Sequence, residues 1–407
     1  MEKTKVVIIG HIDHGKSTLI GRILYETNSL SEDKMKEIKK VCEDLGRITE
    51  FAYLIDNLQE EREEQYTLDT TQTFFKTGKR SYIIIDAPGH KEFIKNMITG
   101  ASQADLAILL IDSKEGIKEQ TKRHAYIIKM LGIKNLIVAI NKMDLINYEK
   151  SSFNRIKDEI MNSLSRLNLK PNDVIPISAL LGENILKKSD KLKWYNGLTL
   201  LSSLDSIKIE KEKEGVLRFP VQDIYQIEGK SIIVGRIESG SLKKGEEIVI
   251  LPEGENNKIK TIETIGPKKD FVKKGESIGI TLEKTTNQKI GSIICKKDNL
   301  PLITKEFKAK IFWMSDKSLN LNEEVTIKCA TQESKCKISE ISKKIDSSTL
   351  RVLEEKSNKL NETEVGEVVI NTNKDLVIEN FEDIPELGRF VIKRDSDIVG
   401  AGVISNH

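Results

Sequence analysis

The sequence predicts an α/β domain built on a mostly parallel sheet, followed by two all-β barrels. Three observations carry that prediction. Over residues 1–205, short apolar runs at 6–9, 82–85, 106–111, 136–140 and 174–177 alternate with amphipathic, charge-rich segments at 118–131 and 153–167. Strands alternating with helices imply parallel strands covered on both faces. A charge run at 206–215, ending in Gly215, then breaks the pattern and reads as a solvated linker. Beyond it helical periodicity largely disappears. Short alternating runs at 218–225, 231–237, 247–251, 258–265 and 277–282 are separated by glycine-bearing turns such as Glu228-Gly229, Lys244-Gly245 and Lys274-Gly275. A second set follows at 307–313, 324–329, 336–341, 367–370, 389–394 and 397–404. The expected domains are therefore 1–205, 216–302 and 304–407.

The bulk properties narrow the function classes. A chain of 407 residues has room for two or three domains. With 31% charged and 38% hydrophobic residues it has an ordinary soluble composition, and a formal net charge of +2 gives no global electrostatic case for nucleic acid, DNA included, beyond a local basic patch. No apolar run approaches the roughly 18 residues of a membrane span. The first strand pattern begins almost at once, leaving no room for a signal peptide, so the expected location is the cytoplasm. Cys42, Cys295, Cys329 and Cys336 show no CxxC spacing. Reduced structural thiols fit them better than a zinc site.

The first apolar run leads into Gly10-His11-Ile12-Asp13-His14-Gly15-Lys16-Ser17-Thr18, and a helix pattern follows. Strand, G-x-x-x-x-G-K-[ST], helix is the context a phosphate-binding loop requires. Gly10 and Gly15 let the backbone pass close to phosphate oxygens, and the N–H groups of the turn and helix start favour anionic charge. Lys16 can reach the β- and γ-phosphates, and Ser17 can ligate Mg²⁺.

Ligands of parallel sheets bind at the carboxyl ends of the strands. After the run at 82–85 comes Asp86-Ala87-Pro88-Gly89-His90. Asp86 can hold Mg²⁺ through water, Gly89 can offer an N–H to a γ-phosphate, and His90 is placed to orient an attacking water. Alone, the same residues also read as a Pro-Gly turn with a surface histidine. After the run at 136–140 comes Asn141-Lys142-Met143-Asp144. A carboxylate there can accept the N1–H and exocyclic amine of guanine, a bidentate fit that adenine lacks. The Lys142 stem can pack over the base, and Asn141 can tether neighbouring loops. Ser178-Ala179-Leu180, after the run at 174–177, is a small turn able to support the base.

These four motifs, in this order, resemble the GTPase domain of the translation-factor class. The resemblance implies GTP and GDP as ligands. It also implies that Thr67, in the switch segment 57–71, closes on Mg²⁺ together with Ser17 and Asp86, and that His90 is catalytic. The family reads Gly-Ile-Thr-Ile where this chain has Gln65-Tyr66-Thr67-Leu68. Residues 29–53 look like an inserted helical pair over the switch.

A GTPase domain followed by two barrels resembles elongation factor Tu and its relatives. Within that superfamily, Trp194 to Leu201 and Arg218 to Ile224 are similar both to elongation factor 1-alpha and to the large GTPase subunit of bacterial sulfate adenylyltransferase. Phe312-Trp313-Met314-Ser315, Ile338 to Ile341, Lys344 to Leu350 and Leu360 to Gly366 look like the sulfate adenylyltransferase subunit. The expectation is therefore a regulatory GTPase that couples hydrolysis to adenylyl sulfate formation by a small adenylyltransferase subunit in sulfate assimilation. The alternatives are an elongation factor delivering aminoacyl-tRNA to the ribosome and an assembly GTPase with another client.

Overall fold

The computed structural model describes residues 3–30, 36, 72–85, 104–209, 215–227, 229–264, 266, 269–284 and 289–405. They form two compact units, Met1–Ile209 and Glu210–His407. The expectations for Thr67, Asp86, Pro88, Gly89 and His90, and for nearly all of the helical insertion, fall outside the described residues.

In the first unit the strands are β1 (Lys3–Gly10), β2 (Gln72–Lys76), β3 (Ser81–Ile85), β4 (Leu106–Asp112), β5 (Asn135–Asn141) and β6 (Asp173–Pro176). Their order is β2-β3-β1-β4-β5-β6, all parallel except β2, which pairs antiparallel with β3. The apolar runs are continuous because both faces are covered: Val6 to Ile9 and Leu106 to Ile111 are buried throughout. The helices are α1 (Lys16–Glu26), α2 (Glu119–Met130), α3 (Lys150–Arg166) and α4 (Leu200–Ser206). On α3 the buried residues Phe153, Ile156, Ile160 and Leu164 recur three and four apart, one stripe of the helix. Asp205 on α4 accepts the hydroxyls of Thr77 (2.7 Å) and Tyr82 (2.8 Å), tying that helix to the β2–β3 hairpin. Because β1, β4, β5 and β6 are parallel, the loops that follow them emerge at one end of the sheet.

The second unit holds two barrels. The first contains β7 (Phe219–Ile227), β8 (Lys230–Arg236), β9 (Ser241–Lys243), β10 (Glu247–Leu251), β11 (Glu255–Glu263), β12 (Phe271–Lys273), β13 (Ser277–Leu282) and β14 (Ile293–Cys295). It closes in the order β10-β11-β13-β8-β7-β14, with β14 pairing back onto β10, while β9 and β12 form a separate pair.

The second barrel contains β15 (Leu302–Trp313), β16 (Leu319–Asn320), β17 (Glu324–Cys329), β18 (Gln332–Asp346), β19 (Val352–Glu355), β20 (Lys359–Leu360), β21 (Glu364–Ile378), β22 (Arg389–Arg394) and β23 (Asp397–Ile404), with a one-turn helix α5 (Pro385–Gly388). Its order is β17-β22-β23-β15-β21-β18-β19, and pairing of β17 with β18 closes it. Strand β18 is far longer than the apolar alternation at 336–341 suggests. Its inward positions include the polar residues Gln332 and Ser334. Gln332 is satisfied by a reciprocal pair with the Val377 backbone, both bonds 2.8 Å, so a buried amide continues the strand where an apolar residue is expected.

Candidate functional site

The end of the sheet brings three of the sequence motifs together. Gly10 closes β1 against β4, where a Cβ would come within 2.8 Å of the Leu110 carbonyl oxygen. Only glycine lets the turn begin there without pushing the strands apart. His11, Ile12 and Asp13 form the turn, and Asp13 takes a left-handed φ of 61°. Gly15, with φ 90° and ψ 34°, caps α1, whose first turn carries Lys16, Ser17 and Thr18. The Lys16 ammonium donates to the carbonyls of Gly10 (2.9 Å) and His11 (3.0 Å), bending back over the loop that precedes it. The charge is thereby held over the anion-favouring end of α1.

Asn141 joins the loops. Its Nδ2 donates to the His14 carbonyl (2.9 Å) and its Oδ1 accepts the Ala179 N–H (2.9 Å). A Cβ at position 15 would stand 2.6 Å from Asn141 Nδ2, so the phosphate-type loop and the Asn141 side chain meet with no room to spare. Lys142 follows with φ 60° and ψ 35° and opens a 3₁₀ turn, Met143–Ile146, that carries Asp144. Asp144 Oδ1 accepts the Ser178 hydroxyl at 2.6 Å. That bond uses one lone pair of Oδ1, so both carboxylate oxygens can still accept from a ligand while their orientation is fixed.

Several residues at this end have roles that the motifs do not assign them. Arg22 on α1 donates from Nε to the Ala179 carbonyl (3.1 Å) and from Nη2 to that of Leu180, holding the third loop against the helix. His14 is fully buried. Its Nδ1 lies 3.2 Å from the Leu110 carbonyl, and its Nε2 makes no hydrogen bond but sits 3.7 Å from Glu115 Oε2. Burial pushes the His14 pKa below the ordinary histidine value, so the ring is neutral at physiological pH. Asp112, at the end of β4, pairs with Lys142, Nζ to Oδ2 2.8 Å. The signal for Asp112 is present in the sequence: it is an acid directly after the run at 106–111, where a ligand-facing residue belongs.

Of the residues expected to hold Mg²⁺, only Ser17 is described, and among the described residues no cluster of three or more His, Cys, Asp or Glu is placed to bind a metal. Ser17 stands half-buried in the first turn of α1. One hydroxyl at that place is compatible with a cation that keeps several waters.

A mostly parallel sheet with a lysine-bearing glycine loop, an Asn-Lys-x-Asp turn and a Ser-Ala turn gathered at the carboxyl ends of its parallel strands defines a P-loop domain of the GTPase class, here followed by two β-barrels. Residues 1–210 match the family model described as the elongation factor Tu GTP binding domain. Residues 231–295 match elongation factor Tu domain 2, and residues 306–405 the GTP-eEF1A C-terminal domain-like model. The chain belongs to the elongation factor Tu/1-alpha family of GTPases.

Similar relatives extend along the whole chain. Elongation factor 1-alpha of Archaeoglobus fulgidus is 39% identical over 99% of this chain and 97% of its own. The protein of the same name from Methanospirillum hungatei is 38% identical over 98% and 96%, and that from Pyrococcus furiosus 38% over 98% and 96%.

These relatives overturn the sulfate adenylyltransferase expectation, and with it the small adenylyltransferase subunit as partner. The structure supplies the physical reason the resemblance misleads. Trp313 is buried in its barrel and donates its indole N–H to the Lys317 carbonyl (2.8 Å). Asp346 caps the turn that follows it, accepting from Ser348 and Thr349, and Ser347 donates to the Thr363 carbonyl (2.6 Å). The residues that carried that resemblance are engaged in core and turn, and such roles say nothing about cargo. Among the described residues, no helix is long and apolar enough to cross a membrane.

Proposed function

We propose that this chain is a translation elongation factor that carries aminoacyl-tRNA to the ribosome in its GTP form and releases it after hydrolysis. The observation that supports the reading is similarity to proteins named elongation factor 1-alpha through the GTPase domain and both barrels alike. In this reading Gly10 to Thr18, with the backbone N–H groups of the loop, bind the phosphates. Asn141, Lys142, Asp144 and the Ser178 to Leu180 turn bind guanine, and Pro88 and Gly89 border the γ-phosphate. Ser17, Thr67 and, through water, Asp86 would hold Mg²⁺. That ion would neutralise charge on the β- and γ-phosphates. His90 orients the attacking water and contributes little to binding.

The two states can differ toward tRNA only if each binds it with a different affinity. The test measures protection of the aminoacyl ester from hydrolysis, with the protein loaded with a non-hydrolysable GTP analogue or with GDP. Protection is expected in the analogue form and at least tenfold weaker in the GDP form. Equal affinity in the two forms, or no protection in either, would overturn the reading.

A further inference from the structure

The loop that would read guanine rests on a backbone that is not at ease by itself. Lys142 is a non-glycine residue in the left-handed region, and such a residue costs about 1–2 kcal/mol unless its surroundings hold it. What holds it is the end of the neighbouring strand β4. Ser113 donates its hydroxyl to the Lys142 carbonyl (2.7 Å) and its N–H to the Asn141 carbonyl (2.8 Å). Asp112 takes the Lys142 ammonium at 2.8 Å. The Asp112 carboxylate is itself locked, because its Oδ1 accepts the N–H groups of Lys114 (2.7 Å) and Glu115 (3.2 Å). Asp112 and Ser113 are buried, at 2% and 1% exposed, whereas the Lys142 side chain is 30% exposed. The anchor is therefore inside the protein and the anchored group reaches its surface.

The register makes the arrangement unavoidable: Asp112 lies directly opposite Asn141 across the parallel β4–β5 pair. Burial favours the neutral acid, but the Lys142 ammonium and the two N–H donors outweigh it and hold the Asp112 pKa below the usual carboxylate value. The ion pair is thus formed at neutral pH. The turn bearing Asp144 begins immediately after Lys142, so its direction follows from the Lys142 backbone. Asp144 then has only the Ser178 hydroxyl, among the described side-chain bonds, to orient it.

We propose that Asp112 and Ser113 are positioning residues for guanine recognition, acting through Lys142 to set the direction of the turn that presents Asp144. The proposal rests on the guanine-nucleotide reading above and adds two residues that lie outside the Asn-Lys-x-Asp motif. Neither is placed to touch the base. Their effect is to keep the loop in its binding conformation before the ligand arrives, so that less ordering is lost on binding.

The test compares GDP and inosine diphosphate, which lacks only the exocyclic 2-amine, by equilibrium titration of the full chain with binding stoichiometry recorded. Asp112→Asn is expected to weaken GDP about tenfold or more, in line with loss of a charge-assisted buried pair. It should also narrow the preference for GDP over inosine diphosphate, because a misdirected Asp144 loses its hold on the amine. In a Lys142→Ala background the same substitution should add little. Ser113→Ala, a gentler change, should narrow the preference in the same direction with full stoichiometry, and it decides the matter if Asp112→Asn does not fold.

Parent-like affinity and preference in both variants would overturn the proposal. So would a loss that is equal for the two nucleotides and additive with Lys142→Ala, which would mark a general structural role. A parent that binds GDP and ATP equally would instead remove the guanine reading itself.

Discussion

In the proposed nucleotide site Asp144 decides the purine, since its carboxylate matches the two donors of guanine and repels the acceptor N1 of adenine. The Ser178 hydroxyl takes one lone pair of Oδ1 at 2.6 Å, so both oxygens remain acceptors, and an amide would turn one of them into a donor. Loss of a charge-assisted pair of this kind costs about 2–3 kcal/mol. Asp144→Asn is expected to weaken GDP tens- to hundredfold and to admit xanthosine diphosphate, whose 2-oxo group accepts from an amide. Competition titration with both nucleotides checks it, and an unchanged order of preference would exclude Asp144 from base recognition. At this scale the motifs were legible because phosphate and base impose residue types at fixed places after strands. Ser113 and Arg22 were not, and Asp112 showed only its place after a strand, because their roles depend on which strands and helices lie side by side, and only the β4–β5 register and the packing of α1 reveal that.

At the scale of elements, the turn between β18 and β19 shows what a single carboxylate does for a barrel hairpin. Burial raises the Asp346 pKa, but four hydrogen bonds to Oδ1, from the N–H and hydroxyl groups of Ser348 and Thr349, reverse that and pull it to about 2. The folded value lies below the unfolded one of 3.8, so the stabilisation is complete above the unfolded value and is lost as pH falls through about 2. Asp346→Asn, which leaves fewer acceptor sites for the four donors, is expected to lower stability at neutral pH by about 1 kcal/mol, a modest figure for a turn that water reaches. The gap from the parent should close as pH falls below the unfolded value. Urea titrations at a series of pH values measure this, and a gap independent of pH would show that the carboxylate charge is not the cause. The long strands β15, β18 and β21 were legible in part, since each extends well beyond its alternating run, whereas β9, β12 and β14, of three residues each, were too short to show a period. The stretch from Lys344 to Leu350 stood out in the sequence by resemblance but carried the wrong meaning, since residues in it serve local capping.

At the scale of the whole molecule, the second unit depends on one buried cation at the joint between its barrels. Arg218, just before β7, is 1% exposed. It donates from Nε to Glu379 (2.6 Å), just after β21, and from its terminal nitrogens to the Asn299 carbonyl (3.1 Å), Asn299 Oδ1 (2.9 Å) and the Leu217 carbonyl (2.9 Å). An apolar cluster of Val249, Leu251, Ile293, Val377, Ile384 and Leu387 closes the same joint. A buried pair of this kind need not add net stability over apolar residues of similar size, but removing one member leaves the other charge uncompensated, at a cost of about 3–5 kcal/mol. Glu379→Leu is therefore expected to be strongly destabilising. Arg218→Met combined with Glu379→Leu should recover most of the loss, because no unpaired charge remains. Unfolding followed by Trp313 emission, in a Trp194→Phe background, reports on the barrels alone. If the double variant is as unstable as the sum of the two single ones, the Arg218 bonds to Asn299 and Leu217, and not its charge pairing with Glu379, hold the joint.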